Sequence, residues 1–239
     1  MPKVERAIIM AAGFGKRMYP VTLTTPKPLI KVNGIRMIDT IIEGLHKNGI
    51  YEIYVVVGYL KEQFEKLKKE YHGIKLIKNP YYESCNNISS LYVARDFIEN
   101  AIILDGDQIV YNSDILAPEF ERSGYNSVWT DKKTDEWLQT VKNWIVTSCS
   151  RTGGKRGWQL YSISRWTAND GVKLKYHLEI EFEQKKNHQI YWDDVAMFCY
   201  PAEYKLGIHP MCNGDVLEVD SLNELIALDE SYRNYADEK

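Results

Sequence analysis

At 239 residues, with 44% hydrophobic and 26% charged side chains, the chain is long enough to bury a full core and reads by default as one globular unit. Its 30 Lys and Arg against 33 Asp and Glu leave a net charge of −3, which gives no general attraction to nucleic acid or to an anionic membrane, so a polynucleotide substrate is disfavoured while a nucleotide is not. Cys85, Cys149, Cys199 and Cys212 are scattered without a C-x-x-C pair, and neither a signal-peptide stretch nor a membrane-length apolar run occurs; this indicates no zinc or redox motif, no membrane insertion and a cytoplasmic location.

The first half alternates short β-rich apolar runs with amphipathic stretches, the pattern of a largely parallel sheet covered by helices. Strands are predicted over residues 7–10, 53–57, 75–77 and 101–104. Between them, Ile35, Ile38, Ile42 and Leu45 share one helical face, and Leu60, Phe64, Leu67 and Tyr71 share another. Further on, residues 125–129, 138–141, 144–147 and 158–162 read as strands joined by short turns, with Gly153-Gly154 a candidate hairpin. Val172, Leu174, Tyr176, Leu178, Ile180 and Phe182 alternate strictly, a period that favours a strand over a helix. Ser221 and Glu224 fit a capping box that opens a last helix with Leu222, Leu225 and Ile226 inside.

The segment after the first strand carries the chemistry. Ala11-Ala12-Gly13-Phe14-Gly15-Lys16-Arg17 has two glycines that let backbone N–H groups approach an anion. It is neither a Walker loop nor a dinucleotide fingerprint. Pro20, Pro26 and Pro28 stiffen the next stretch of chain, which lowers the cost of holding Lys27 toward the same loop. A second feature is the apolar run 102–104 leading into Asp105-Gly106-Asp107, which delivers a carboxylate at the carboxyl end of a strand, where α/β folds bind ligands. Asp107 is the first candidate magnesium ligand. Magnesium commonly takes one or two carboxylates with waters and substrate phosphates, so Asp193 is the candidate partner, with Asp194 the alternative as ligand or helix cap.

The string from Ala11 to Leu29 resembles the signature of the sugar-nucleotide pyrophosphorylase-type nucleotidyltransferases, which join a nucleoside triphosphate to a phosphorylated acceptor. The resemblance implies a Rossmann-like, three-layer α/β fold with a mixed, mostly parallel sheet and an antiparallel acceptor-side extension. It divides the single domain 1–239 into a nucleotide-binding part, 1–110, and an acceptor part with the last helix, 111–239. It also implies a helix, not a strand, near residues 172–182. By the same resemblance Ala11, Ala12, Gly13, Gly15, Lys16 and Arg17 embrace the triphosphate, and Lys27 lies between the α-phosphate and the acceptor phosphate.

The second half is rich in tryptophan, and aromatic walls suit a cation better than a sugar, although any single tryptophan is more often a core residue. The strings 57–64, 86–92, 134–137 and 191–193 resemble the bacterial CTP:phosphocholine cytidylyltransferases; residues 130–133 and 150–158 depart from them. This likeness implies CTP and magnesium, Trp137, Trp192 and Trp166 as the choline wall with Glu136 or Asp135 adding charge, and Asn86, Asn87 and Ser90 near the base. Asn87 equally fits a helix cap. Alternatives are a 2-aminoethylphosphonate or phosphoethanolamine acceptor, or a sugar 1-phosphate with UTP or dTTP. Oligomeric state is left open.

Overall fold

The computed structural model describes residues 1–236. Strand β1 (Arg6–Ala11) is buried from Ala7 onward, as befits a central strand covered on both faces. Three 3₁₀ turns lead to the short strands β2 (Lys31–Val32) and β3 (Ile35–Arg36), then to α1 (Met37–Lys47) and β4 (Glu52–Val57). Helix α1 buries Ile38, Ile41, Ile42 and Leu45, whereas Ile35 precedes the helix and is exposed. The predicted second helix forms only in part: a 3₁₀ stretch, Lys61–Lys66, runs into α2 (Leu67–Glu70), and it buries Phe64 and Leu67. Then come β5 (Ile74–Lys78), α3 (Ile88–Val93), β6 (Ala101–Asp105) and β7 (Gln108–Val110).

The second half comprises β8 (Gly124–Thr130), β9 (Leu138–Lys142), β10 (Ile145–Ser150), β11 (Gly157–Trp166), α4 (Ala168–Glu179), β12 (Gly207–Pro210), β13 (Val216–Glu218) and α5 (Leu222–Leu228). The expected strand over residues 172–182 is α4 and a wide turn that continues it. Thr167 caps the helix by accepting from Asp170 N. Of the alternating apolar set, Leu174, Leu178 and Phe182 are buried while Val172 and Tyr176 face solvent, so every second member of a period-2 pattern served a helical face. The hairpin lies elsewhere than expected. Asn143 and Trp144, both at positive φ, make the two-residue turn between β9 and β10, the hand that matches strand twist. Gly153-Gly154 instead bridges to Thr134.

A nine-stranded sheet runs through both halves in the order β5-β4-β1-β6-β11-β8-β12-β10-β9. The strands β5, β4, β1 and β6 are parallel. Beyond them β11 is antiparallel to β6 and β8, and β9 pairs with both β10 and the start of β11, so the extension curls back on itself. β11 loses register with β8 between Leu160 and Ser164, an irregularity that re-aims this strand at the cleft, where Leu160 and Ser162 are lining residues. β13 returns antiparallel to β7 and brings residues 216–218 alongside 108–110. Ser221 and Glu224 form the predicted capping box at the start of α5.

Candidate active site

The cleft opens at the carboxyl ends of β1 and β6, in the place expected for a ligand on an open α/β sheet. One compartment of about 420 Å³ is lined by Ala11, Gly13, Gly15, Lys16, Arg17, Lys27, Asn86, Asp107 and Asp220 among others. No atom lies within 4 Å of where a Cβ on Gly13 would stand, so that backbone faces open space. Gly15 has φ +63, and a Cβ there would sit 2.9 Å from the Thr22 methyl and 3.1 Å from Lys27 Cβ. Thr22 Oγ1 donates to Gly15 O at 2.9 Å and so ties the loop to the proline-stiffened segment. Ala12 belongs to the frame: its carbonyl accepts from Tyr59 N, and the residue is buried.

Lys27 is 7% exposed, and its Nζ lies 2.6 Å from Asp107 Oδ2 and 2.9 Å from Asp220 Oδ1. Burial pulls its pKa down, but the Asp107 charge, the hydrogen bonds to both carboxylates and the Asp220 charge outweigh this and leave it above its ordinary value. Arg17 Nη2 shares Asp220 Oδ1 at 2.8 Å while most of its side chain stays in solvent, free to meet an anion. Lys16 reaches over the Phe14 ring instead.

A second compartment of about 250 Å³ adjoins the first through Arg17, Asp107 and Asp220 and adds Asn87, Asp105, Glu136, Trp137, Tyr191, Asp193 and Glu218. It is rich in carboxylates. Burial, followed by Asp107, Asp193 and Glu218, raises Asp105 well above the usual range. Glu218 is pushed up to about 7 by burial and then by Asp107 and Asp220; Gln108 Nε2 donates to it at 2.7 Å. Asp193 is pushed up to about 7 mainly by burial, against the opposing effect of the Tyr125 hydroxyl, with Asp194 and Glu218 as its charged neighbours. Asp107, Asp193 and Glu218 line the same compartment, and all three charges act on Asp105. Among the described residues no three potential ligands converge on one point.

Several expected residues have other work. Trp166 and Trp192 are 0% and 1% exposed and pack in the core with Tyr125, which leaves neither a face for an acceptor; that expectation is corrected, and only Trp137 of the three stands in the cleft, with Tyr191 beside it at 88°. Ser90 is buried and bound by Asn79 Nδ2, so it is not free to read a base. Asn87 does not cap α3: its Oδ1 accepts from Trp192 N. Asn86 faces the first compartment with its amide tied to Gln189 O. Asp194 Oδ2 accepts from Tyr191 N and Oδ1 binds Arg151, so Asp194 holds the loop together. Sequence reasoning missed Glu218 and Asp220; the signal was two acids flanking Val219 directly before the capping box.

A family model described as Nucleotidyl transferase matches residues 6–122. A 2-aminoethylphosphonate cytidylyltransferase of Lancefieldella rimae is 38% identical over 95% of this chain and 92% of its own length. A choline-phosphate cytidylyltransferase of Streptococcus pneumoniae is 31% identical over 96% of this chain and 99% of its own. The solved structure of CTP:phosphocholine cytidylyltransferase from Streptococcus pneumoniae superposes with a TM-score of 0.88, again at 31% identity over 96% and 99% of the two chains. The inositol-1-phosphate CTP transferase of T. maritima, 17% identical with a TM-score of 0.76 over 98% and 96%, shares the fold. No helix among the described residues is long and apolar enough to cross a membrane.

Proposed function

Because the chain belongs to the nucleotidyl transferase family, we propose that it transfers CMP from CTP to a small phosphate or phosphonate carrying a primary ammonium, such as 2-aminoethylphosphonate or phosphoethanolamine, and releases pyrophosphate. One observation carries the choice of acceptor. Beside Trp137 and Tyr191 the second compartment is lined by the carboxylates Asp193 and Glu136. A primary ammonium offers three N–H donors to such carboxylates; a trimethylammonium offers none and needs an aromatic cage, which the burial of Trp166 and Trp192 does not leave. The 38% identity to the 2-aminoethylphosphonate cytidylyltransferase supports the same reading. The phosphocholine reading draws on the TM-score of 0.88 to the pneumococcal enzyme and on the remaining aromatic edge at Trp137.

In this reading an acceptor oxygen attacks the α-phosphorus of CTP in line and pyrophosphate leaves, with no covalent enzyme intermediate. Lys27 is a charged donor held between Asp107 and Asp220, so it meets the α-phosphate without having to be ordered first. The open backbone at Gly13 and Gly15 and the exposed guanidinium of Arg17 take the charge that develops on the leaving group. Asn86 stands on the nucleotide side and is the candidate for the base. The mutually repelling carboxylates fit a divalent cation; magnesium, held by Asp107 with Asp193 or Glu218, would neutralise phosphate charge. The test is pyrophosphate release with CTP, UTP and dTTP set against 2-aminoethylphosphonate, phosphoethanolamine, phosphocholine and glucose 1-phosphate, with and without magnesium. CTP with a primary-ammonium acceptor should lead phosphocholine by about tenfold or more in kcat/KM. A preference for phosphocholine or for the sugar phosphate would sink the assignment.

A further inference from the structure

Trp137, which lines the second compartment beside Tyr191, has a second set of neighbours. Phe198 packs edge-on against it at 5.5 Å and 81°, and the guanidinium of Arg151 lies 3.7 Å over the Phe198 ring and 5.9 Å from that of Trp137. The same guanidinium donates from Nε at 2.8 Å and from Nη2 at 2.5 Å to Asp194 Oδ1, a carboxylate only 3% exposed. Two aromatic faces and a buried carboxylate are what a quaternary ammonium requires, and here the chain's own cation fills the place. We propose that Arg151 is a specificity-determining residue: by occupying the corner of Trp137, Phe198 and Asp194, it closes the acceptor side to trimethylammonium head groups and leaves the primary ammonium to Asp193.

The local backbone is built to keep this arrangement. Thr134 and Gly154 exchange backbone hydrogen bonds at 3.0 Å each, which fixes the turn after β10 against the segment that carries Glu136 and Trp137. Gly153, at φ +68, permits that approach, since a Cβ there would fall 1.9 Å from Thr134 O. Ser150 Oγ donates to Gly153 O at 2.8 Å across the same turn. Asp194 Oδ2 takes Tyr191 N, so the ion pair also ties Arg151 to the Tyr191–Asp194 wall.

The proposal rests on the cytidylyl-transfer reading, and two measurements separate its failure from the failure of that reading. The first compares kcat/KM for phosphocholine and for 2-aminoethylphosphonate in the wild type, Arg151→Ala and Arg151→Lys. Arg151→Ala should shift the ratio toward phosphocholine by about tenfold, mainly through a lower KM for phosphocholine, while Arg151→Lys should keep the wild-type ratio. A ratio unchanged within about twofold, or a parallel loss with both acceptors, overturns the proposal, since a merely structural prop would affect both alike. The second measurement is binding of choline alone, read by tryptophan fluorescence. Choline should bind Arg151→Ala and not the wild type or Arg151→Ala/Asp194→Asn; equal binding to all three also overturns it. If Arg151→Ala does not fold, Arg151→Met, which retains packing on Phe198, is carried through the same two assays. A wild type inactive with every cationic acceptor sinks the acceptor assignment, while choline binding still decides the role of Arg151.

Discussion

Replacing Lys27 by methionine removes one charge from the centre of the cleft and keeps the stem that lies against Gly15. In the resting protein Nζ is 2.6 Å from Asp107 and 2.9 Å from Asp220, and the residue is almost fully buried, so no solvent cation can take its place at low cost. If Lys27 is the preorganised donor to the α-phosphate, its loss costs ~2.7–4 kcal/mol of transition-state stabilisation, a fall in kcat of ~10²–10³. The fold loses less. Breaking a fully buried ion pair costs ~3–5 kcal/mol, but the Asp107 and Asp220 side chains are 30% and 35% exposed, and solvent screening reduces the loss to ~1–2 kcal/mol, or ~2–8 °C in Tm for a chain of this size. Pyrophosphate release at saturating CTP and acceptor reads the first quantity, and a thermal melt reads the second. A kcat within about threefold of wild type, in a variant whose Tm falls as expected, would refute the reasoning, because the charge would then be stabilising the fold and not the reaction.

Trp137→Ala should raise the acceptor KM by about tenfold while the KM for CTP stays close to wild type, since the residue lines the second compartment only; steady-state kinetics with each substrate varied in turn checks this. Trp192→Ala should act on stability instead, costing ~3–5 kcal/mol by opening a cavity against Tyr125 and Trp166; an unchanged denaturation midpoint with a raised acceptor KM would return it to the acceptor wall. Glu52 is held down to about 2 by Tyr54, Lys75 and Arg6, so its contribution is complete above the ordinary carboxylate range and is lost as pH falls through about 2. Melts taken from about pH 5 to about pH 2 should therefore show Glu52→Gln less stable than wild type at the upper end, with the two curves converging at the lower; parallel curves would contradict the assignment.

The parallel half of the sheet was legible because β1, β4 and β6 are buried on both faces and read as unbroken apolar runs. The phosphate segment was legible because Gly15, Arg17 and Lys27 meet within a few residues of chain. The opposite holds for Glu218 and Asp220, which reach Lys27 and Asp107 from more than a hundred positions away and whose neighbours already explained them as the lead into a helix cap. The tryptophans show a different limit. Trp137 and Trp192 sit in similarly aromatic and acidic strings, yet one lines a cleft and the other stacks on Tyr125; which side of the extension each meets is fixed by the curl of β9 onto β11, a pairing no local pattern announces. In α4 the strict alternation was real, but of its apolar members only Leu174 and Leu178, four residues apart, faced inward, and Thr167 with its capping bond favoured the helix.

The return of β13 to β7 limits how this chain can be divided. Asp220 comes just after that strand and touches two of the three cations of the phosphate segment, Arg17 and Lys27, so the first 110 residues do not by themselves contain the complete charge balance of their own loop. Between β7 and β13 lies the segment 124–210, which carries Trp137, Arg151 and the Tyr191–Asp194 wall. If that segment sets the acceptor as proposed, its residues can change while the charge cluster of Lys27, Arg17, Asp107 and Asp220 stays held from both ends of the sequence.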